Sequence, residues 1–318
     1  MKQTILALTP EKTKGLLYLL GACLIWAGWW VFNRYGVTNG VDPFDIVAIR
    51  LTVAGLILLP ILVRRGLGTV WWKAILIACL GGLINSLASI YGVKFAPASH
   101  GATLMPGMVP IFTALLAWLI LNETITVVRW LGIGLVIGGA FLIGFPNLTP
   151  GNDNQWIGHL LFIGASLSWS FYTVCVRWWR IDAWHGVALI AVVSMILYLP
   201  IYSFTFGGRI FDYPVSTILF QGLYQGILTS ICAILFFNSA IAIFGASGAG
   251  AAGALIPVLT VIMAAIFLGE IPSWIEVLGI FVVIGGIPFA MGLIGSRDGK
   301  VHDDIEDKSR GTKLDTKA

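Results

Sequence analysis

The stretch "VPIFTALLAWLILNE", residues 109–123, occurs twice in this chain in related form. A shift of 147 positions places it on "IPVLTVIMAAIFLGE", residues 256–270, so that Pro110 meets Pro257 and Glu123 meets Glu270. The match continues from "LGIGLVIGG" (131–139) to "LGIFVVIGG" (278–286), and a shift of 143 places "GACLIW" (21–26) on "GASLSW" (164–169). The sequence therefore predicts an internal duplication.

The composition predicts that both copies lie in a membrane. Hydrophobic residues make up 58% of the 318 residues and charged residues 11%, whereas roughly a quarter of a soluble domain is charged. A spanning helix needs about 20 apolar residues, and the alternation typical of a β-barrel is absent from the sequence. We predict an all-α integral membrane protein with ten spans, near residues 15–34, 44–63, 72–94, 99–121, 129–145, 157–176, 184–203, 217–240, 246–268 and 274–294.

The sequence lacks the motifs and charge patterns that are typical of several functional classes. The net charge is only +4 and the basic residues form no single patch, which argues against nucleic-acid binding. HExxH, P-loop and serine-hydrolase motifs are absent from the sequence, so we expect neither an enzyme nor a metal or cofactor site. The expected partners are the lipid bilayer and a small-molecule substrate. All four cysteines lie within apolar runs without CxxC spacing, and we interpret them as packing residues.

The distribution of Lys and Arg predicts the orientation of the chain. With the N-terminus in the cytoplasm, most basic residues fall on the cytoplasmic side, and ten spans return the C-terminus there. Five spans per copy is an odd number, so the second copy enters the membrane from the opposite side. We predict an N-terminal segment (1–14), two five-helix repeats (15–145 and 157–294), an external linker (146–156) and a disordered polar tail (295–318).

These features resemble the ten-helix EamA-type branch of the drug/metabolite transporter superfamily. The resemblance is carried by the five-plus-five repeat, by the proline and glutamate thirteen positions apart in each copy, and by "AIRLTVAGLILLP" (48–60). It implies metabolite transport, often export, by alternating access in a bacterial inner membrane. It also implies that helices one to four and six to nine surround a central cavity, with helices five and ten at the periphery.

Three basic residues are candidates for contacting a substrate. Arg50 lies within span two, where a charge must face a cavity, water or a partner. It could grip a carboxylate or phosphate; the alternatives are pairing with carbonyls or with Asp45, or extension to the outer interface. Lys94, near the end of span three, is a cavity candidate or an interfacial lysine. His100, at the start of span four, is a candidate for proton coupling or a hydrogen-bonded helix-start residue.

Polar residues three or four positions apart predict inward-facing stripes. Span three carries Asn85 and Ser89, and span eight carries Gln225 and Thr229. Cavity lining and helix packing are both open interpretations of these stripes. Tyr91 and Asn238 occupy equivalent positions in the two copies and are further cavity candidates.

Aromatic residues suggest the chemistry of the substrate. Trp26 and Trp169 are repeat equivalents, and with Trp30 and Tyr172 they lie away from the span ends. Indole rings suit planar or amphiphilic ligands; the alternative is packing. The predicted function is secondary transport, with export expected, of amino acids or related amphiphilic or aromatic compounds. The alternative is a passive uniporter or channel for a small solute, without ion coupling.

The remaining candidates are structural. Pro106, Pro110 and Pro257 are predicted to kink their helices, because proline removes a backbone donor. Glu123 and Glu270 are expected to mark helix ends at opposite faces of the membrane. A GxxxG motif in span five predicts a homodimer contact; its glycines are Gly134 and Gly138.

Overall fold

The computed structural model describes residues 10–121, 126–144, 154–240, 243 and 255–290. These residues form ten principal helices and, within those ranges, no strands. Seven are long and apolar enough to cross a membrane, and α5, α9 and α10 are shorter apolar helices. In chain order they are α1 (Pro10–Thr38), α2 (Pro43–Arg65), α3 (Trp71–Phe95), α4 (Ala98–Leu121), α5 (Val127–Gly144), α6 (Gln155–Trp178), α7 (Ala183–Phe206), α8 (Val215–Ala240), α9 (Leu255–Leu268) and α10 (Trp274–Ala290).

Each of the ten predicted spans overlaps one of these helices, and α1 extends beyond its predicted range at both ends. The first part of predicted span nine (246–254), most of the predicted linker and the predicted tail (295–318) lie outside the described residues. The turns from α1 to α2 and from α6 to α7 have the same geometry. Gly40 and Arg180 both have positive φ, at 86° and 52°, as residues that end helices commonly do. Asp42 and Asp182 then cap the next helix by accepting from backbone N–H groups, which compensates donors that a helix leaves unpaired.

A π-helical segment occurs in each copy. It spans Ala78–Ile84 in α3 and Gly222–Cys232 in α8, which the shift of 147 positions brings into overlap. The wider turn exposes carbonyls, and in α8 the Thr229 hydroxyl donates to the Tyr224 carbonyl at 2.9 Å. π-Helical segments are rare in proteins, and those that occur are often found at functional sites. Their recurrence supports the two inverted five-helix repeats that the sequence predicted.

Helices α5 and α10 pack along each other through glycine. A Cβ on Gly139 would lie 2.7 Å from the Gly279 carbonyl oxygen, so the two backbones are in close contact. The predicted dimer motif uses a different face of α5. Among the described residues, a Cβ on Gly134 or Gly138 would meet no atom within 4 Å beyond the helix's own backbone. The homodimer stays a prediction.

Two serines of α6 bond carbonyls beside the prolines of α4. The Ser166 hydroxyl donates to the Met105 carbonyl at 2.8 Å, and Ser170 donates to the Val109 carbonyl at 3.1 Å. Each acceptor immediately precedes a proline, Pro106 or Pro110, within the helix. A proline frees the carbonyl four positions before it, so these bonds hold α4 against α6 but do not replace the bonds that the prolines remove. Pro257 lies buried in the first described turn of α9, and Glu123 lies outside the described residues.

The outer surface of the helical assembly is apolar. Large side chains such as Phe204 and Trp274 are 94% and 74% exposed, as lipid-facing and interfacial residues are. Together with the length and hydropathy of the helices, this surface identifies an integral membrane protein.

Candidate functional site

Four helices place buried polar atoms without partners at a similar depth. Among the described residues, no hydrogen-bond partner is present for Trp29 Nε1 (α1), Arg50 Nη1 (α2), Ser89 Oγ (α3) or Gln225 Oε1 (α8). At 1.5 Å per residue, these residues lie roughly 9–15 Å along their helices from the end shared by the turns between α1 and α2 and between α3 and α4. We call these four residues the polar layer.

Arg50 is held in the layer by an aromatic ring. Its guanidinium lies 5.4 Å from the centre of the Trp29 ring, which is the range of a cation–π contact. The expected alternative of pairing with Asp45 is wrong. The buried Asp45 carboxylate accepts instead from Arg209, from Tyr213 and from Tyr202.

Amide side chains connect the layer to neighbouring parts of α1 and α8. Gln225 Nε2 donates to Asn33 Oδ1 at 3.0 Å and to Gln221 Oε1 at 3.2 Å. Asn33 in turn donates to the Trp29 carbonyl at 2.7 Å. Gln221 also lines a cavity of about 480 Å³ between the adjoining ends of α1 and α8, so this amide chain joins the cavity to the layer.

Several predicted cavity residues have structural contacts. Asn85 is buried and donates to the Ala165 carbonyl at 3.1 Å, which joins α3 to α6. The Thr229 hydroxyl is bonded within its own π-helical segment. Tyr91 packs against Phe44, with ring centres 5.6 Å apart. Lys94 is exposed, with its ammonium 5.4 Å from the centre of the Tyr91 ring.

The predicted aromatic candidates fall into separate clusters. Trp30 is buried and meets Trp29 edge-on, with ring centres 4.6 Å apart. Trp26 contacts Phe237 of α8, while Trp169 contacts Tyr172 on its own helix. The repeat equivalents Trp26 and Trp169 are therefore in different surroundings. Asn238 is partly buried on α8.

His100 belongs to a partly buried hydrogen-bonded cluster that shares no residue with the polar layer. Its Nδ1 lies 2.9 Å from His159 Nε2, and its Nε2 lies 3.1 Å from Glu276 Oε1. The second Glu276 oxygen accepts from the Ser273 backbone N–H at 2.6 Å, in the arrangement of a capping box. The first turns of α4, α6 and α10 thus meet at this cluster.

Glu270 forms a second link at the same end of the molecule. Its carboxylate accepts from Arg34 Nε at 2.7 Å and from the Ala98 backbone N–H at 3.0 Å. Arg34 also donates to the Val93 carbonyl. The predicted structural role of Glu270 is consistent with these contacts, which join the ends of α1, α3 and α9 to the start of α4.

Four residues of these sites were not among the predicted site residues. Trp29 and Asn33 belong to the helix that carried other candidates, and a helical projection from Trp26 would have found both. His159 and Glu276 had a weaker signal: both lie in first turns of spans that enter from the side where His100 begins its span. Their contact with His100 depends on helix neighbours that no local pattern indicates.

Ten helices in two inverted repeats, with a polar layer between helices of both copies, define a membrane transporter. The model of the EamA-like transporter family matches residues 13–145 and 156–292, and the chain belongs to this family.

Relatives in bacteria agree with this assignment. The chain is 23% identical to the uncharacterized transporter YetK of Bacillus subtilis, covering 87% of each chain. It is 26% identical to the uncharacterized inner membrane transporter YedA of Escherichia coli, covering 89% of this chain and 92% of that one. A solved crystal structure with 19% identity has a TM-score of 0.58 and covers 88% of this chain and 97% of that chain, which shows a shared fold.

Proposed function

We propose that the chain is a secondary transporter that moves small organic metabolites, specifically amino acids or related amphiphilic or aromatic compounds, across a bacterial inner membrane by alternating access, in the direction of export. The observation that carries the proposal is the polar layer of Trp29, Arg50, Ser89 and Gln225. A buried polar atom without a partner costs about 1–3 kcal/mol, so a ligand that supplies the missing partners gains that free energy on binding.

The chemistry of the unpartnered atoms matches a zwitterion. Arg50 Nη1 and Trp29 Nε1 are donors, and both suit a carboxylate. Gln225 Oε1 is an acceptor and the Ser89 hydroxyl can accept, so both suit an ammonium group. The neighbouring Trp30 ring supplies an apolar wall for a hydrophobic side chain. An amino acid carries all three kinds of group.

The position of the layer suits alternating access. It draws Trp29, Arg50 and Ser89 from the first copy and Gln225 from the second, and substrate sites of inverted-repeat transporters lie at such interfaces. We further propose that both termini lie in the cytoplasm, from the excess of Lys and Arg on that side. Labelling of single cysteines placed at Gly40 and Gly66 from outside intact cells tests the orientation, with Gly40 reactive and Gly66 protected.

The test of function is counterflow in proteoliposomes loaded with unlabelled leucine, phenylalanine or tryptophan. Labelled substrate should accumulate transiently and saturably, as in a carrier; a non-saturable flux without counterflow would favour the passive alternative. Arg50→Gln should weaken apparent affinity about 10- to 100-fold, the effect of losing a charge-assisted hydrogen bond. Arg64→Gln, an exposed arginine on the same helix, is the matched control and should leave counterflow unchanged.

A further inference from the structure

The two hydrogen bonds among His100, His159 and Glu276 determine which nitrogen of each histidine carries a proton. An ionised carboxylate only accepts, so His100 Nε2 carries a proton and donates it to Glu276. In neutral His100, Nδ1 is then an acceptor, and His159 Nε2 must donate to it. In this form both nitrogens of His100 are hydrogen-bonded, and the cluster carries one negative charge. One additional proton on the histidine pair makes the cluster neutral, with an imidazolium beside the carboxylate.

The other charged groups nearby are already paired. Arg34 of α1 bonds Glu270, which follows α9, and Glu270 bonds the Ala98 N–H two residues before His100. Lys94 of α3 is exposed above Tyr91. The titratable groups in direct contact with His100 are therefore His159 of α6 and Glu276 of α10. His100 is 1% exposed, while the Glu276 side chain is 13% exposed, so a proton can enter from the Glu276 side.

The duplication supplies an internal comparison. The residues equivalent to Arg34 and Glu270 are Arg177 and Glu123, so that pair of residue types occurs in both copies. The positions equivalent to His100, His159 and Glu276 carry Ser247, Leu16 and Arg129. A group needed only for folding of the repeat would be expected in both copies, whereas the histidine cluster occurs at one end of the molecule.

The helix that carries His100 reaches the polar layer through Trp30. Gly101 follows His100 and lies so close to Trp30 that a Cβ would be 2.5 Å from the indole ring. Trp30 meets Trp29 edge-on, and Trp29 underlies Arg50. Two indole rings therefore join the start of α4 to the arginine of the layer, so a movement of α4 would reach Arg50 through direct contacts.

We infer that His100, His159 and Glu276 form a one-proton site, open to the outer face of the membrane, that couples proton entry to substrate export. The inference rests on the proposed function. In each cycle one proton from outside binds the histidine pair when the first turns of α4, α6 and α10 separate, and it is released to the cytoplasm in the inward-open state, where substrate then binds for export. No bond of the substrate is made or broken.

The experiment compares two measurements in the same proteoliposomes. Counterflow of leucine, phenylalanine or tryptophan at equal pH tests transport alone. Accumulation driven by an imposed pH difference tests coupling: one proton per neutral zwitterion sustains about a tenfold substrate ratio per pH unit. His159→Gln and Glu276→Gln should reduce the sustained ratio to about 1 while retaining measurable exchange, because exchange needs no net proton movement. His185→Gln, a histidine whose Nε2 contacts the Leu67 carbonyl, is the matched control and should keep the full ratio.

A second measurement does not depend on transport. Histidine NMR of the purified full chain in detergent should show that His100 and His159 together take up one proton as the pH is lowered, and that Glu276→Gln shifts this titration. Any one of three results would overturn the inference. Counterflow could occur while the pH difference drives no accumulation, His159→Gln could sustain the same substrate ratio as the wild type, or the histidines could show no titration. Loss of counterflow in the wild type with an intact titration would instead overturn the proposed function.

Discussion

Arg34 and Glu270 are 236 positions apart in the chain, and their side chains meet at 2.7 Å. The pair joins the last turn of α1 in the first copy to the segment after α9 in the second. Both side chains are largely buried, with 20% and 18% exposure. Buried ion pairs depend on both partners, because the remaining charge is left uncompensated when one partner is removed.

We predict that Glu270→Gln lowers the free energy of unfolding by about 2–3 kcal/mol, because Arg34 then keeps a buried charge without its carboxylate. Thermal unfolding of the purified protein in detergent measures the change. Arg65→Gln is the control: Arg65 pairs with Asp182 at 3.3 Å with side chains 55% and 63% exposed, and such pairs contribute less than about 1 kcal/mol. Equal losses in both variants would contradict the argument.

The contact between α5 and α10 leads to a prediction about Gly139. Gly139→Ala would place a methyl group 2.7 Å from the Gly279 carbonyl oxygen, and overpacking of this kind costs about 1–3 kcal/mol. Gly134→Ala on the same helix has open space around the added methyl group within the described part of the chain, and helix propensity favours it by up to about 1 kcal/mol. Thermal unfolding should therefore show opposite signs. If Gly134→Ala also destabilises, and does so only at high protein concentration, Gly134 lies in the predicted dimer contact.

The hydrogen-bond donor of Trp29, its Nε1–H, can be tested separately from its aromatic ring. Trp29→Phe removes the unpartnered Nε1 donor and keeps an aromatic face beneath Arg50. We expect about 10-fold weaker apparent affinity in counterflow, the lower range for a hydrogen bond to a charged group, with little change in stability. Trp130→Phe, at a position 52% exposed on α5, should leave affinity unchanged. An unaltered affinity in Trp29→Phe would exclude this indole N–H as a substrate contact.

The helices could be predicted from the sequence because each is an apolar run of spanning length, and the duplication revealed the inverted architecture. The sequence did not allow us to predict which charged side chains pair with each other. Asp45 and Arg50 are five residues apart, which places them about 140° apart around a helix, and the arginine that pairs with Asp45 is Arg209, three residues after the end of α7. Arg50 itself was found because an arginine within an apolar span stands out. The contact of His100 with His159 could be seen only once α4 and α6 were known to be neighbours.

The Asp45 network leads to a prediction about alkaline pH. Tyr213 donates to Asp45 Oδ2 at 2.6 Å and accepts from the Asp42 N–H at 3.1 Å. Burial raises the pKa of Tyr213, and its bond to Asp45 raises this pKa further. The bond to Asp45 also raises the pKa of Arg209 above its usual range, so the arginine keeps its charge.

A raised pKa in the folded state means that folding favours the neutral phenol. Its stabilising contribution is full below about pH 10, where the unfolded tyrosine is also neutral, and is lost as the pH rises through the folded pKa. We expect the free energy of unfolding to fall as the pH rises above about 10 and to fall less steeply in Tyr213→Phe, which is less stable at pH 8 because it lacks both hydrogen bonds. Denaturation in detergent across this pH range measures both effects. Tyr35→Phe, at an exposed position, serves as the control, and an unchanged slope in Tyr213→Phe would show that Tyr213 does not carry the alkaline loss.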